Sequence, residues 1–204
     1  MDIKYNITKL VNDKTEEIKD SVSVEEPLEM NLKFKIKQEW KTENLSITMR
    51  TPGNDEDLIS GFLLNEGIIL NIDEIDNIEK KGEKVGDYNI QNKIEATINN
   101  SSNIDIGKIK RNFLTNSSCG ICGKTSLESI EAIKHQKLDL SFPKIKKEII
   151  TKSPDLLISK QAEFSKTGGI HASSLIDVNG RVLVTREDVG RHNALDKLIG
   201  HAHK

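Results

Sequence analysis

Both cysteines of this 204-residue chain lie in one short stretch, Asn116-Ser117-Ser118-Cys119-Gly120-Ile121-Cys122-Gly123-Lys124. A thiol reacts or binds metal as the thiolate, a form favoured by a nearby cation or a helix N-terminus. Lys124 supplies a cation, and Thr125-Ser126-Leu127-Glu128 reads as a capping box that opens a helix. Gly120 and Gly123 let the backbone turn tightly and leave the sulfurs uncovered. Three chemistries are open to such a pair. Structural zinc needs four ligands, so two more would come from the five histidines. His201 and His203 have neither helical i,i+4 spacing nor that of a zinc finger. Thioredoxin-type redox chemistry needs the pair at a helix start, which fits, after a βαβ-like lead-in, which is not evident. Sulfur carriage needs one exposed thiolate to hold a persulfide and a second cysteine to release or protect it. The Ser, Gly and Lys neighbours argue against a buried, inert pair.

Two further stretches collect polar groups. In Phe164-Ser165-Lys166-Thr167-Gly168-Gly169-Ile170-His171-Ala172-Ser173, the Gly168-Gly169 turn and Lys166 suit a phosphate or another anion, and His171 opens a strand. A glycine turn beside a core histidine is an equally ordinary structural feature. Zinc deaminases of bases carry H-x-E followed by P-C-x-x-C. Here the order is reversed, position 173 is serine and Ser118 stands at the proline position, which argues against deamination. In Thr185-Arg186-Glu187-Asp188-Val189-Gly190-Arg191-His192-Asn193-Ala194, a strand gives way to a helix, the place where α/β sheets put ligands. Arg186, Asp188, Arg191, His192 and Asn193 crowd that mouth. The bland alternative is a surface ion-pair cluster of Arg186, Asp188 and Arg191.

The surrounding elements must position these groups. Residues Ile3 to Val11 alternate as a half-buried strand, Asn12-Asp13-Lys14 turns, and Ser21 to Val24 begins a second extended segment. Leu32, Phe34 and Ile36 form a clear strand, and Leu45, Ile47 and Met49 repeat its pattern, which predicts a small twisted sheet. After the Pro52-Gly53 turn, Asn54 is an N-cap candidate for a helix through Leu58, Ile59, Phe62 and Leu63 that stops at Gly67. Asn71 to Asn103 is charged and weakly patterned, with one strand at Ile94 to Ile98 and a polar loop at Asn99 to Asn103. Leu127, Ile130 and Ile133 mark a helix. Ser153-Pro154-Asp155 reads as cap, N1 proline and first-turn acid of another helix, running to about Phe164. Ile170 to Asp177 and Arg181 to Thr185 are strands around an Asn179-Gly180 two-residue hairpin signal. A last helix from Gly190 to about His203 would bury Ala194, Leu195, Leu198 and Ile199. The fold class is α/β (α+β overall), divided into a sheet-plus-helix domain at 1–112 and an α/β domain at 113–204 carrying the C-x-x-C loop.

Composition narrows the function classes. Hydrophobic residues make up 35% and charged residues 30%, with a formal net charge of −2. That balance argues against a protein that coats nucleic acid or membrane, though not against a local basic groove. No run approaches the roughly 20 apolar residues that span a bilayer. Met1-Asp2-Ile3-Lys4 does not open a signal peptide. Two closely spaced cysteines point to the cytoplasm and to metal or redox chemistry.

Four motifs together resemble the FdhD family, the formate dehydrogenase accessory sulfurtransferases. They are Arg50-Thr51-Pro52-Gly53-Asn54-Asp55, Ser118-Cys119-Gly120-Ile121-Cys122-Gly123, Lys166-Thr167-Gly168-Gly169-Ile170-His171-Ala172 and Arg186-Glu187-Asp188-Val189-Gly190-Arg191-His192-Asn193-Ala194, in family order. The resemblance implies that the second domain is cytidine-deaminase-like, without the deaminase zinc site. It implies a sulfur carrier that accepts sulfur from a cysteine desulfurase and passes it to the molybdenum or tungsten bis(guanine dinucleotide) cofactor of formate dehydrogenase. Cys119 would carry the persulfide and Cys122 would assist, with no resident metal or permanently bound cofactor. Lys166, Thr167, Gly168, Gly169, His171, Arg186, Asp188, Arg191, His192 and Asn193 would contribute to the cofactor or nucleotide site. Homodimerisation is compatible with the resemblance. A non-catalytic cofactor-binding chaperone and a dithiol redox protein are the alternatives. Similar family members continue past the helix that ends near Gly200 with a glycine- and arginine-rich, cofactor-binding stretch, so the chain is expected to be C-terminally shortened.

Overall fold

The computed structural model describes residues 1–85, 88–98, 141 and 143–204. The cysteine loop, its following helix and the Asn99–Asn103 loop lie outside the described residues. Eight strands and four α-helices are present among the described residues, a mixed α/β architecture as the sequence predicts.

The central sheet has four strands in the order β4-β3-β6-β5: β3 (Glu26–Ile36), β4 (Glu39–Arg50), β5 (Ile75–Val85) and β6 (Ile90–Ile98). β3 and β6 pair in parallel at the centre, and the two edge strands run antiparallel to them. Alternation on β3 sends Leu28, Met30, Leu32 and Phe34 to the buried face, where Ile94, Ala96 and Ile98 of β6 join them. Leu58, Ile59 and Leu63 of helix α1 (Asp55–Asn65) close this core.

β5 escapes the sequence reading because its residues, Ile75-Asp76-Asn77-Ile78-Glu79-Lys80-Lys81-Gly82-Glu83-Lys84-Val85, are those of a charged edge. Charges on an edge strand block pairing with other chains and also hide the strand from pattern analysis. β4 departs from its simple alternation. The register shifts opposite Met30/Asn31, so that Ser46 pairs with Met30 and Asn44 with Asn31, leaving Leu45 as the extra residue of a bulge. Leu45 is buried, but Ile47 and Met49 turn outward and are 63% and 47% exposed. Arg50 turns inward instead.

The N-terminal strands do not join the central sheet. β1 (Asp2–Val11) and β2 (Lys14–Ser23) form their own two-stranded hairpin, with Asn12 and Asp13 both at positive φ in the turn. β2 is thus longer than the segment read from Ser21, and most of the hairpin is exposed.

α1 ends in a Schellman motif at Gly67, whose N–H donates to the Leu64 carbonyl while Ile68 N–H donates to that of Leu63. Its start differs from expectation. Asn54 sits in the left-handed region at φ 54° and makes no side-chain cap. Of the first-turn acids that complement the helix dipole, Asp55 and Asp57 are committed to arginines, as described below.

In the C-terminal half, α2 (Lys147–Ile158) begins before Ser153, and Pro154 lies inside it. An interior proline leaves the carbonyl four residues earlier without its usual donor. Ser153 Oγ supplies one, donating to the Ile150 carbonyl at 2.8 Å. α2 stops at Ile158, and the separate short helix α3 (Phe164–Thr167) ends at Gly168 with φ 68°. β7 (His171–Ile176) and β8 (Val182–Asp188) form an antiparallel pair. Asp177 N–H donates to the Arg181 carbonyl and closes a three-residue loop, Val178 to Gly180, with Gly180 at φ 85°, one residue longer than the two-residue hairpin signal suggests. α4 (Arg191–Ala202) buries Asn193, Ala194, Lys197, Leu198 and Gly200, while Leu195 is 44% exposed, contrary to expectation. The helix is rotated because it crosses α1 through glycines. A Cβ on Gly61 would stand 1.9 Å from the Asp196 carbonyl oxygen, and one on Gly200 would stand 2.0 Å from that of Asp57. No helix among the described residues is long and apolar enough to cross a membrane.

Candidate functional site

Two of the sequence motifs meet where β8 runs into α4. Register places His171, the first residue of β7, opposite Asp188, the last of β8. The Gly168-Gly169 turn therefore lies beside the Val189-Gly190 turn, and both face the same end of the β7–β8 pair.

Asp188 is fully buried and bonded on both oxygens. One accepts from the Gly190 N–H at 2.8 Å and from Asn193 Nδ2 at 3.1 Å. The other accepts from the Thr51 N–H at 3.1 Å and pairs with Lys197 Nζ at 2.7 Å. Lys197 is itself buried and donates to the Thr51 carbonyl at 2.8 Å, while Thr51 Oγ1 accepts from the Val189 N–H at 3.2 Å. Asn193 adds a further tie, donating to the Met49 carbonyl at 2.8 Å and accepting from Thr48 Oγ1 at 3.2 Å. A Cβ on Gly190 would press against Asn193 Nδ2 at 2.8 Å and would have to displace that hydrogen-bonded amide. Asp188, Asn193 and Lys197 thus rivet the start of α4 to the end of β4. A buried charge pair of this kind is tolerable because every oxygen has a donor.

The Arg50-to-Asp55 motif is structural in the same way. Arg50 is fully buried, and its Nε and Nη2 donate to the Asp55 carboxylate at 2.9 and 3.2 Å, a bidentate fork. Its Nη1 donates to the Glu26 carbonyl at 3.2 Å. Arg186 donates through Nε and Nη2 to Asp57 Oδ2 at 3.1 and 3.0 Å. Lys204 Nζ pairs with Asp57 Oδ1 at 2.7 Å, and His201 Nδ1 lies 3.6 Å from Oδ2. Burial pushes the Asp57 carboxyl up, but the hydrogen bonds from Lys204 and Arg186 outweigh it and hold it below the usual carboxylate range.

What stays accessible is a rim. Arg191, His171, Gly168 and Gly169 are exposed, and His192 is half-buried. Lys166 is exposed too, with its ammonium 3.3 Å from Asp2 of the N-terminal hairpin, which holds Asp2 below the ordinary carboxylate range. Thr167 Oγ1 bonds Ser23 Oγ at 3.1 Å from the same hairpin. Glu187 accepts the Glu163 and Phe164 N–H groups at 3.0 and 2.9 Å, which fixes α3 and the glycine turn after it. Among the described residues no cluster of three His, Cys, Asp or Glu side chains is placed to hold a metal. Cys119 and Cys122 lie outside the described residues.

Residues 25–204 match the model of the FdhD/NarQ family. The chain belongs to the FdhD/NarQ family. It is 44% identical over 183 residues to a sulfur carrier protein FdhD of Picrophilus torridus, which covers 90% of this chain and 64% of that protein. A sulfur carrier protein FdhD of Saccharolobus solfataricus is 36% identical over 197 residues, 97% of this chain and 68% of the relative. The chain thus spans 64% of the length of its Picrophilus relative. The fold is similar to that of a putative formate dehydrogenase accessory protein from Desulfotalea psychrophila, with a TM-score of 0.58 at 22% identity, covering 98% of this chain and 66% of that one.

Arg186, Asp188 and Asn193, expected from the sequence to contact a ligand, each have an internal partner. The sequence places Thr51 and Asp55 only within a family motif and does not single out Lys197 or Asp57. Lys197 did carry a signal: it sits between Ala194 and Leu198 on the apolar stripe of its helix, where a charge requires a buried partner.

Proposed function

We propose that this FdhD/NarQ family member is a sulfurtransferase that accepts sulfur from a cysteine desulfurase and delivers it to the molybdenum or tungsten bis(guanine dinucleotide) cofactor destined for formate dehydrogenase. The observation that carries the proposal is the 44% identity to a protein named a sulfur carrier, combined with a C-x-x-C pair beside Lys124. In the proposed cycle the Cys119 thiolate attacks the terminal sulfur of the donor's persulfide. The donor cysteine leaves as a thiolate and Cys119 becomes the persulfide, with no net oxidation. Cys122 assists release, since its thiolate can attack the inner Cys119 sulfur, forming a disulfide and freeing hydrosulfide, and a dithiol reductant then returns both cysteines to thiols for the next turn.

The accessible rim of Lys166, Thr167, Gly168, Gly169, His171, Arg191 and His192 would meet the client cofactor. The cationic groups of Lys166 and Arg191 suit phosphates, and the histidines add donors or acceptors. Arg186, Asp188 and Asn193 would act behind it by holding the rim in place. In cells whose own sulfur carrier of this family has been deleted, expression of this chain is expected to restore formate dehydrogenase activity, and Cys119→Ala is expected to abolish the restoration. Restoration by Cys119→Ala at the unmutated level would overturn the proposal in favour of a cofactor-binding chaperone.

A further inference from the structure

The outward face of the central sheet is a lattice of paired charges that breaks off at one end. Lys93 of β6 pairs with Glu29 of β3 at 2.9 Å. Lys81 of β5 pairs with Glu79 beside it and lies 3.8 Å from Glu95 of β6. Asn31 and Asn44 bond each other at 3.2 Å, and Thr42 Oγ1 reaches Glu95 at 3.4 Å. Toward the β3–β4 turn the pattern changes. Lys33 and Lys35 have no carboxylate within ion-pair distance among the described residues, and neither does Lys37 in the turn, although Lys33 is near enough to Glu79 to help hold its carboxyl below the usual range after the hydrogen bonds from Lys81 and Asn77. Their neighbour is the only tryptophan of the chain. Trp40 stands opposite Lys35 across the β3–β4 ladder, and its ring centroid is 4.6 Å from Lys35 Nζ and 5.2 Å from Lys33 Nζ.

The bland account is a solvated strand end, and two observations go beyond it. Trp40 is 45% exposed, although Phe34, the residue before its cross-strand partner Lys35, is buried on the opposite face. Two cations are stacked on it, which fixes long side chains that would otherwise lose rotamer freedom on binding. Glu39 is the sole acid among residues 33–41 of a chain whose net charge is negative. A tryptophan is the side chain most enriched at binding hot spots, and a ring of cations around it selects negative partners. A polyanion strand would need a basic track to follow, whereas Glu29, Glu79 and Glu95 occupy the face beyond.

We propose that Lys33, Lys35, Lys37 and Trp40 form a docking surface for an acidic segment of a partner protein. The surface is independent of the chemistry assigned to Cys119. Because Trp40 is the only tryptophan, its emission reports the site directly. Titrating the full chain with an oligoglutamate peptide at low ionic strength is expected to change that emission saturably. In the double variant Lys33→Glu/Lys35→Glu the apparent affinity is expected to fall at least about tenfold, whereas Lys152→Glu on α2 should leave it unchanged. Far-UV circular dichroism shows whether each variant is folded, and calorimetric titration of Trp40→Phe separates the charge contribution from that of the ring. The proposal is overturned by an absent or unsaturable response, by equal affinity in the double variant, or by tighter binding of a single-stranded oligonucleotide than of the peptide.

Discussion

Two ionisable residues on α4 show how the same helix handles charge in opposite ways. Lys197 and Asp188 are buried with each other, and Thr51 and Asn193 complete their bonding. Removing the cation alone strands the carboxylate, so Lys197→Met is expected to cost about 3–5 kcal/mol in urea unfolding. A loss below about 1 kcal/mol would contradict the assigned pairing. Asp196, one residue earlier, is half-buried in the α1–α4 seam, where its carboxylate accepts from Asn65 Nδ2 at 2.5 Å. Burial pushes its carboxyl up to about 7, with Glu66 and Asp188 adding in the same direction against the Asn65 hydrogen bond. The sign follows from linkage. Unfolded Asp196 ionises near 3.8 while the folded carboxyl stays protonated to about 7. Its cost to the fold therefore grows between those values and levels off above them. Asp196→Asn keeps an acceptor for Asn65 without the charge. Its stability advantage over the unmutated protein should be near zero at about pH 4 and reach roughly 2–3 kcal/mol by about pH 8. A pH-independent difference in paired urea titrations would rule this out.

At the scale of elements, the decisive contact is helix against helix. Gly61 on α1 and Gly200 on α4 let the two backbones approach until a single Cβ on either would overlap a carbonyl oxygen. Alanine is worth up to about 1 kcal/mol more than glycine in a helix interior, so propensity alone predicts stabilisation. Packing should win: Gly61→Ala and Gly200→Ala are each expected to destabilise by about 2–3 kcal/mol, read as a lowered urea midpoint at unchanged slope. A raised midpoint would show that the seam can open at no cost. This close crossing also explains a misjudged face. An apolar periodicity of Ala194, Leu195, Leu198 and Ile199 is legible in the sequence, but the glycine crossing and the Lys197–Asp188 pair turn the helix until Leu195 is exposed. The same limit applies on β4, where a bulge at Leu45 reverses the direction of Ile47 and Met49, and on β5, where charges mask an edge. By contrast the second half of β3, from Asn31 to Ile36, alternates regularly against one core and is legible, whereas Glu26 to Met30 is not read as strand. Periodicity reads a face only when the element is regular and has one neighbour.

For the whole molecule, the expected division at 1–112 and 113–204 falls among residues outside those described, but the chain on either side of it is tied together. Thr51 and Met49 at the end of β4 receive Asp188, Asn193 and Lys197, and Asp57 receives Arg186 and Lys204. Two of the sequence motifs are therefore two sides of one buried joint, which no spacing within the chain could reveal. The glycine turn is legible as a helix stop leading into a strand and the Arg191–His192 corner as a strand-to-helix mouth, and the β7–β8 register brings them side by side. The proposed function adds a thiolate to this frame. Its most direct test is the intact mass of the protein after incubation with cysteine and a cysteine desulfurase. One added sulfur that is removed by reductant and absent in Cys119→Ala is the predicted result. An unmutated chain that gains no sulfur, or a Cys119→Ala variant that gains the same sulfur, would contradict it.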